Sequence, residues 1–595
     1  MTRPSAPVTE PGPARQAGRA IGRAAVLMGV ITVAARVIGF GRQLVFAHTV
    51  GSTCLGTAYT TANQVPNVIY DIVLGGALTS VVVPVLAGAA ARRSLGRAPG
   101  TGDGPARTGA SRTAAEADTE NADNSNSGGG AQARRAADAE AGQTASALLT
   151  WAVVLLTPAS LVIALVAGPL SALLLQKPPH CPASATASVA ASMLAVFAPQ
   201  VLLYGLAVVL YGILQAHRRF TAPVLAPVLS SVVVSAAYFI FVPLGHGDTQ
   251  DLSVLPGNAQ LVLSVGTTAG VAALVLTAIG PALRLRLRLR PTLRFPPGVA
   301  RRAAGLAAVG VATLIAQDAS VIAVIVLANK HGGSGALVQY NFGWQVFFLP
   351  YAVLAVPVAT SVFPVLSATS GVEFDRHAAA STRAVLLLSW LGAALLAGAA
   401  VPTAWLFAAR HSAPAQTHQL ALAFAAFAPG LVGYGLTAAL SRVLFACHRS
   451  RVVALSLVGG WLLVIVTDVV LVSVVQPDRV VPALGLGNTV GLSCAGLAVL
   501  VAVRRARGAA ALRGTGRAAA AGLAGAVAGA AAGAGVSAGL PVSGFLLNAC
   551  VALLACAVAT VVYGAVVLAL DGADLRSAAT QVLRRGGGQA GAAAD

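Results

Sequence analysis

Two arginines stand inside the first long apolar stretch of the chain, which reads AARVIGFGRQLVFAH over residues 34–48. Arg36 follows Arg23, the last basic residue before this stretch, by 13 residues, so a helix would place it about 20 Å deeper. A side chain at that depth does not easily extend back to the nearer membrane surface, whereas Arg42 can reach the opposite one. Because one guanidinium group can bind two phosphate oxygens at once, we predict a hydrated central cavity for a phosphate-bearing substrate. Pairing of both arginines with carbonyls or acids in a packed core is the alternative.

Asp71, in PNVIYDIVLGG, is the acid of the second apolar stretch. An ionisable residue inside a membrane is costly and therefore marks a functional position by default. Asp71 either neutralises Arg36 or Arg42 or contacts the substrate, and the sequence favours neither role over the other.

Two further acids, Asp318 in LIAQDAS and Asp468 in VIVTDVV, lie deep in later apolar stretches. Buried acids of transporters commonly take up Na⁺ or H⁺, with hydroxyl and carbonyl ligands nearby. We therefore predict an ion-coupling site that contains Asp318, Asp468 and Thr489, with pairing of one acid to Arg442 as the alternative. Beyond this Na⁺ or H⁺ site we predict no metal, no cofactor, no nucleotide-binding loop and no catalytic constellation.

The elements that would position these residues are membrane-spanning helices. Of the 595 residues, 56% are hydrophobic and 10% are charged, and apolar runs of about 20 residues cross a bilayer as helices. The sequence thus predicts an all-α polytopic membrane protein. The fourteen predicted spans are 24–48, 56–91, 145–176, 186–216, 222–244, 259–282, 300–329, 335–368, 380–409, 418–447, 452–475, 482–503, 516–540 and 543–570.

The net charge of +20 arises from basic residues, nearly all arginine, that cluster between the spans. They fall on every second connection, and cytoplasmic segments of membrane proteins carry such an excess. We therefore predict a multi-pass protein of a bacterial cell membrane with both termini in the cytoplasm. Binding of nucleic acid is not needed to explain the charge.

Two pairs of similar segments reveal an internal repeat. TSVVVPVL at 79–86 recurs as TSVFPVLS at 360–367, about 280 residues later, and LYGILQAHRRF at 210–220 corresponds to LSRVLFACHRS at 440–450, 230 residues later. Six spans in each half give both halves the same orientation, so we predict two six-helix lobes in a parallel pseudo-two-fold repeat. The polar stretch 93–143, rich in Gly, Ala, Ser and Asn, explains the different separations and is predicted to be disordered.

The predicted organisation follows from these observations. It consists of an N-terminal tail 1–23, an N lobe 24–282 that includes the cytoplasmic loop 93–143, a basic linker 283–299, a C lobe 300–503, two C-terminal helices 516–570 and a tail 571–595.

Six cysteines show no metal-binding spacing. Cys54 and Cys181 fall near predicted external loops and could pair. By analogy with other loop cysteines we expect free thiols instead.

Five segments, in order across about residues 24–505, resemble the MurJ (MviN) family of lipid II flippases, which belongs to the multidrug/oligosaccharidyl-lipid/polysaccharide exporter superfamily. They read ARVIGFGRQLVFAHTVG, ANQVPNVIYDIVLGGALTSVVVPVLA, GILQAHRRFTAPVLAPVLSS, LPYAVLAVPVATSVFPVLS and SRVLFACHRSR. The Ala- and Arg-rich composition is typical of a high-GC actinobacterium.

The resemblance implies that lipid II, the polyprenyl-pyrophosphate-linked peptidoglycan precursor, enters a cationic cavity between two rocking lobes. Arg36 and Arg42 match the first-span arginines expected to meet the pyrophosphate, and Asp318, Asp468 and Thr489 fall near the ion site of the family. Cell-wall synthesis and division proteins are implied as partners.

The chain departs from the family pattern where basic residues are usual. Tyr70 and Asp71 follow the PN of the second span, Gln345 replaces an arginine of the eighth span, and Thr57 stands where an acid is common. The predicted substrate-binding residues are therefore Arg36, Arg42, Asp71 and Gln345, in a less cationic cavity. Alternatives are an exporter of another lipid-linked glycan or a drug-type molecule, or a non-transporting scaffold for cell-wall enzymes.

Overall fold

The computed structural model describes most of the chain, and the described residues form helices joined by short turns. The described residues are 34–73, 119–176, 181–217, 219, 221–247, 249–285, 290–294, 299–408, 414–540 and 544–591.

Eight helices form the described part of the N lobe. They are α1 (34–49), α2 (Cys54–Val73), α3 (Thr119–Leu165), α4 (Ala167–Leu174), α5 (Ala183–Phe197), α6 (Gln200–Ala216), α7 (Thr221–Leu244) and α8 (Gly257–Leu283).

The remaining helices form the C lobe and the C-terminal pair. They are α9 (Val299–His331), α10 (Ala336–Pro350), α11 (Val356–Ala368), α12 (Gly371–Gly398), α13 (Ala400–Leu406), α14 (Pro414–Phe427), α15 (Gly430–Ala446), α16 (Ser450–Val474), α17 (Val480–Arg507), α18 (Thr515–Gly539) and α19 (Phe545–Gly591).

Twelve helical stretches of the described chain are long and apolar enough to cross a membrane. Each overlaps one of the last twelve predicted spans, which confirms the all-helical membrane fold. The first two predicted spans, 24–48 and 56–91, are described only from residue 34 and up to residue 73, where they form α1 and α2. The count of fourteen spans stays a prediction.

A shared helix break relates the two lobes. α5 ends at Phe197 and α6 begins after Pro199, while α14 ends at Phe427 and α15 begins after Pro429. The two breaks lie 230 residues apart, the same separation as the second pair of repeated segments. Proline lacks the backbone N–H that continues a helix and is tolerated where one begins. The break therefore agrees with the predicted repeat.

The eighth predicted span, 335–368, is not one regular α-helix. α10 ends at Pro350, a π-helical turn covers Tyr351–Ala355, and α11 continues from Val356. Such π turns interrupt the regular hydrogen-bond ladder and are frequent at functional sites.

The prediction of a disordered linker over 93–143 is wrong for its second part, because helix α3 begins at Thr119. The segment after residue 131 is rich in Ala, Gln, Glu and Arg, which are strong helix formers, so the helix extends beyond the apolar stretch. Residues 93–118 of the predicted linker lie outside the described residues.

The expectation of free thiols at Cys54 and Cys181 is wrong, since the two residues form a disulfide with 5.7 Å between their Cα atoms. The bond joins the start of α2 to the residues that precede α5. The loop that follows α7 is hydrogen-bonded to the start of α2 as well. The backbone N–H of Cys54 donates to Oε1 of Gln250, and that of Leu55 donates to the carbonyl of Thr249. Sequence separation alone could not show this convergence of three loops.

Small residues let helices of the C lobe pack backbone to backbone. A Cβ at Gly433 on α15 would lie 2.6 Å from the carbonyl carbon of Leu492 on α17, and one at Gly491 would lie 2.6 Å from the carbonyl oxygen of Gly460 on α16. Close approach of this kind drives helix association where lipid removes the hydrophobic driving force. The C lobe is thus a tight bundle against which the N lobe packs.

The largest buried cluster lies where the lobes meet, at the end of α1 and the start of α2. Phe46, Leu55 and Tyr59 of the N lobe pack there with Phe342 and Phe407 of the C lobe. The ring centroids of Phe46 and Phe342 are 6.3 Å apart. We call this side of the bundle the closed end.

Candidate functional site

A cavity of about 780 Å³ lies between the lobes, within the size range of ligand sites. Its walls come from α1, α2, α6, α7 and α8 of the N lobe and from α9, α10, α16 and α17 of the C lobe. A molecule bound in it would contact both lobes at once.

Arg36 and Arg42 both line this cavity, as the sequence predicts. They are six residues apart on α1, so their side chains enter the cavity at different depths. The guanidinium of Arg36 lies over the ring of Phe348, 4.9 Å from its centroid. Arg42 lies within electrostatic reach of the hydroxyls of Tyr59 and Tyr204.

Neither arginine forms an ion pair with any residue in the described ranges. Pairing with acids in a packed core, the alternative raised from the sequence, is therefore absent from this part of the chain. Their charges remain available to a ligand.

Asp71 also lines the cavity, on the same face of α2 as Asn67. It makes no ion pair with Arg36 or Arg42 within the described ranges, so the geometry does not support a neutralising role. Its carboxylate instead lies within electrostatic reach of that of Asp318.

Gln345 faces the cavity from α10 with an exposed side chain. One turn earlier, Asn341 accepts a hydrogen bond at Oδ1 from Nε2 of Gln64, with 3.1 Å between the two atoms. That bond crosses from one lobe to the other along the cavity wall. All four predicted substrate-binding residues are thus brought to one cavity.

The three predicted ion-coupling residues occupy separate environments. Asp318 is 3% exposed, and neither of its carboxylate oxygens has a hydrogen-bond partner in the described chain. Its sequence neighbours Gln317 and Ser320 line the cavity. Asp318 therefore lies behind the cavity wall, within electrostatic reach of Asp71.

Asp468 is fully buried on α16, and its two carboxylate oxygens have no hydrogen-bond partner among the described residues. A Cβ at Gly487 of α17 would overlap Oδ1 of Asp468, so only glycine at this position leaves room for the carboxylate. Tyr340 of α10 lies within electrostatic reach of Asp468. A buried carboxylate without a partner is costly unless it binds a proton or a cation.

Thr489 does not use its hydroxyl to bind either acid. The hydroxyl donates to the carbonyl oxygen of Ala426 on α14, 2.6 Å away. The preceding residue, Asn488, faces the cavity instead: its Nδ2 donates to the hydroxyl of Tyr340 at 2.9 Å, and its Oδ1 has no partner in the described chain. Arg442 does not pair with an acid in the described ranges, and its guanidinium donates to the carbonyl of Ala438.

Polar contacts join the two lobes at the closed end. The backbone N–H of Gly335 donates to Oγ1 of Thr57 at 3.0 Å, and Nδ2 of Asn329 donates to Oγ1 of Thr61 at 3.0 Å. Nε2 of His48, at the end of α1, lies 2.9 Å from the carbonyl oxygen of Leu406. Thr57, the departure from the family pattern, therefore forms part of a contact between lobes.

The sequence interpretation missed the neutral polar and aromatic residues of the cavity. Thr60, Asn63, Gln64 and Asn67 face it from α2, and Tyr70 and Tyr204 flank them. The signal was present in the sequence as polar positions three or four residues apart, which place side chains on one face of a helix.

Comparisons with known proteins agree with this architecture. The sequence model of the family described as lipid II flippase MurJ matches residues 131–559. A curated relative, lipid II flippase MurJ of Burkholderia cenocepacia, is 24% identical over 358 residues, which are 60% of this chain and 58% of the relative. The matched region thus spans less than two thirds of that relative.

Solved structures share the fold. A lipid II flippase MurJ in an inward closed conformation aligns with a TM-score of 0.63 and 15% identity, over 90% of this chain and 98% of the other. A multidrug resistance MATE family transporter in an inward-facing conformation aligns with a TM-score of 0.59 and 13% identity, over 80% and 97%.

Proposed function

Because the chain belongs to the MurJ family of lipid II flippases, a family of transporters rather than enzymes, we propose that it flips lipid II from the cytoplasmic to the outer leaflet of the bacterial cell membrane. The observation that carries this proposal is the pair of arginines, Arg36 and Arg42, that face the cavity between the lobes without an acidic partner in the described chain. Two such groups suit a pyrophosphate, since each guanidinium binds phosphate oxygens in pairs.

Recognition of the headgroup uses the remaining predicted residues. Gln345 and Asp71 offer an amide and a carboxylate on opposite walls of the cavity, and both can accept hydrogen bonds from hydroxyl or amide groups. A lipid tail remains outside, in the bilayer, where it costs no desolvation.

Movement follows an alternating-access cycle. The arginine distribution predicts that the closed end faces the exterior, so in this conformation a substrate would load from the cytoplasmic side. Separation of Gly335 from Thr57 and of Asn329 from Thr61 would open the cavity to the outer leaflet. These contacts are few and neutral, which suits a transition that must run in both directions.

Ion coupling through Asp318 and Asp468 is the energetic part of the proposal. Each carboxylate is buried and without a partner in the described chain, so a proton or Na⁺ at either site would stabilise one conformation over another. Asn488, whose buried oxygen has no partner in the described chain and whose amide donates to Tyr340, is a better candidate than Thr489 for a neutral ligand on the side of Asp468. Flipping by the Asp318→Asn variant that responds to Na⁺ and pH gradients as the unaltered protein does would remove Asp318 from this role.

Complementation of a flippase-depleted bacterial strain tests the function. We expect Arg36→Ala and Arg42→Ala to abolish growth at normal expression, whereas Arg451→Ala, at an exposed position at the start of α16, supports it. Normal growth with both cavity variants would contradict the proposal.

The same strain separates the alternatives. A scaffold that docks cell-wall synthesis and division proteins through the loop 93–143 predicts that deletion of residues 93–143 is damaging and that the arginine variants are harmless. An exporter of another lipid-linked glycan, or of a drug-type substrate, predicts that lipid II in the cells stays inaccessible from outside even with the unaltered protein.

A further inference from the structure

One wall of the cavity carries neutral polar side chains in a regular ladder. Thr60, Asn63, Gln64 and Asn67 line the cavity from α2. Thr60, Asn63 and Asn67 stand three or four residues apart and Gln64 adjoins Asn63, so all four lie on one side of the helix. The acid Asp71 follows Asn67 by four residues and ends the ladder. The ladder is about 16 Å long at 1.5 Å per residue. Its carboxamides each offer a donor and an acceptor without a charge.

Asn63 of this ladder has a side-chain oxygen without a hydrogen-bond partner in the described chain. This oxygen, Oδ1, is buried, and buried polar groups are nearly always paired. The residue lines the cavity. A turn of the Asn63 amide toward the cavity would present this oxygen to a ligand that donates a hydrogen bond.

Two tyrosines flank the ladder. The rings of Tyr70 and Tyr204 pack with their centroids 4.3 Å apart at an interplanar angle of 34°, and both are half-buried and line the cavity. The Tyr204 hydroxyl donates to Oδ1 of Asn67 at 3.0 Å. This bond fixes the Asn67 amide and leaves its nitrogen as a donor.

The internal repeat provides a reference for this pair. Tyr351 follows Tyr70 by 281 residues and Tyr434 follows Tyr204 by 230, the separations of the repeated segments. Their rings also pack at 4.3 Å, with an interplanar angle of 37°, but neither ring lines the cavity. Pairing of the rings is thus common to both lobes, and its exposure to the cavity belongs to the N lobe.

The ladder recurs only in part in the C lobe. Asn341 and Gln345, 281 residues after Thr60 and Gln64, also line the cavity, but the counterparts of Asn63 and Asn67 are aromatic. The positions 281 residues after Asn63 and Asn67 are Trp344 and Phe348. Trp344 lines the opposite wall, and Phe348 lies under Arg36. The two walls therefore differ in part: the N-lobe wall carries the additional amides Asn63 and Asn67 beside the tyrosine pair, whereas the C-lobe wall has the indole of Trp344 between its amides.

We propose that the N-lobe wall formed by Asn63, Gln64, Asn67, Tyr70 and Tyr204 is a glycan subsite that binds the sugar rings of the transported headgroup. Sugars carry hydroxyl and acetamido groups that both donate and accept hydrogen bonds, and their C–H faces pack on aromatic rings. Neutral carboxamides next to a pair of aromatic rings match both features, whereas Arg36 and Arg42 bind the phosphate groups. This assignment rests on the proposed function and specifies which part of the substrate each wall holds.

Binding of three purified lipids to the full-length protein in detergent tests the subsite. The probes are a polyprenyl pyrophosphate without sugar, the same lipid with the disaccharide, and the lipid with the disaccharide and its peptide. Asn67→Leu and Asn63→Leu keep the side-chain size and remove the hydrogen-bonding groups. Asn63→Leu also removes an unpaired buried oxygen, so it should not destabilise the protein. Tyr351→Leu is the matched control outside the cavity, and thermal melting checks folding of every variant.

We expect Asn63→Leu and Asn67→Leu each to weaken binding of both sugar-bearing lipids about tenfold, the effect of one lost hydrogen bond, and to leave the sugar-free lipid unchanged. Tyr70→Leu should do the same, and Tyr351→Leu should not. Equal weakening for all three lipids, or an effect on the peptide-bearing lipid alone, would overturn the glycan subsite. Failure of the unaltered protein to bind any of the three lipids would instead overturn the proposed function.

Discussion

Gly335 is the residue at which a single methyl group should separate the lobes. It lies in the turn before α10 with φ +76°, and its N–H donates to Thr57 of the N lobe. A Cβ there would overlap the backbone of Ser52 and lie 2.6 Å from its Cα, against 3.4–4 Å for ordinary contact. Because these obstructing atoms are backbone atoms of the other lobe, Gly335→Ala should disfavour the conformation in which the lobes meet at the closed end.

The size of the effect follows from two terms. The lost hydrogen bond is worth about 1 kcal/mol, and overpacking of a tight contact costs about 1–3 kcal/mol. A total of at least about 2 kcal/mol changes the ratio of closed to open populations about 30-fold. The cost of left-handed backbone for alanine, about 1 kcal/mol, applies to both conformations and so does not alter their ratio.

Distances between spin labels at the exposed positions Val254 and His418, one on each lobe near the closed end, measure this ratio. The four free cysteines would first be replaced. We expect Gly335→Ala to add or enlarge a long-distance population. Gly247→Ala, with φ +84° and open space around its Cβ, controls for the backbone term, and Gly333→Ala, also in open space, controls for the turn. Distance distributions of Gly335→Ala equal to those of both controls would refute the closed-end contact.

Two further predictions concern stability and topology. The Cys54–Cys181 bond should appear as a disulfide-linked peptide pair in mass spectrometry of the unreduced protein; labelling of Cys54 by a maleimide before reduction would contradict it. Arg507 pairs with Asp375 at 2.9 Å and joins α17 to α12, so Arg507→Ala should destabilise the C lobe by about 1 kcal/mol, since the pair is partly exposed. We expect Arg507→Ala to have a lower apparent melting temperature than the control Arg505→Ala, at an exposed neighbouring position. Equal melting temperatures would show that the ion pair does not contribute to stability.

The membrane spans were predictable because the bilayer imposes a length and a polarity on every helix that crosses it. The repeat was visible in two pairs of short segments, 79–86 with 360–367 and 210–220 with 440–450, and the structure adds the shared helix breaks at Pro199 and Pro429. Placement of Arg36 and Arg42 in a cavity followed from the cost of burying a charge, which holds whatever the details of packing.

Residues whose roles depend on helix rotation were harder to place. Asn488 and Thr489 are neighbours in sequence, yet one faces the cavity and the other donates to Ala426, because successive residues of a helix point about 100° apart. In a helix that is apolar on several sides, hydropathy does not determine that rotation. Asp318 and Asp468 were grouped from their depth, and the structure places them in different surroundings, Asp318 within electrostatic reach of Asp71 and Asp468 within that of Tyr340.

The disulfide was missed for a related reason. Cys54 and Cys181 are 127 residues apart, and their approach depends on how α2 and α5 pack. The amide ladder of α2 was missed because neutral polar residues in a span are usually explained by helix–helix hydrogen bonds. That explanation holds for Gln64, bonded to Asn341, and fails for Asn63, whose oxygen has no partner in the described chain.

Transbilayer movement of lipid II by the purified protein in liposomes tests the central claim most directly. Labelled lipid II in the inner leaflet would be detected as it becomes accessible to an external enzyme, with the unaltered protein, Arg36→Ala, Arg42→Ala and the control Arg451→Ala. We expect movement with the unaltered protein and with Arg451→Ala, and a rate near that of protein-free liposomes with either cavity variant. Equal rates for all four proteins, or no movement above protein-free liposomes with any of them, would contradict the account.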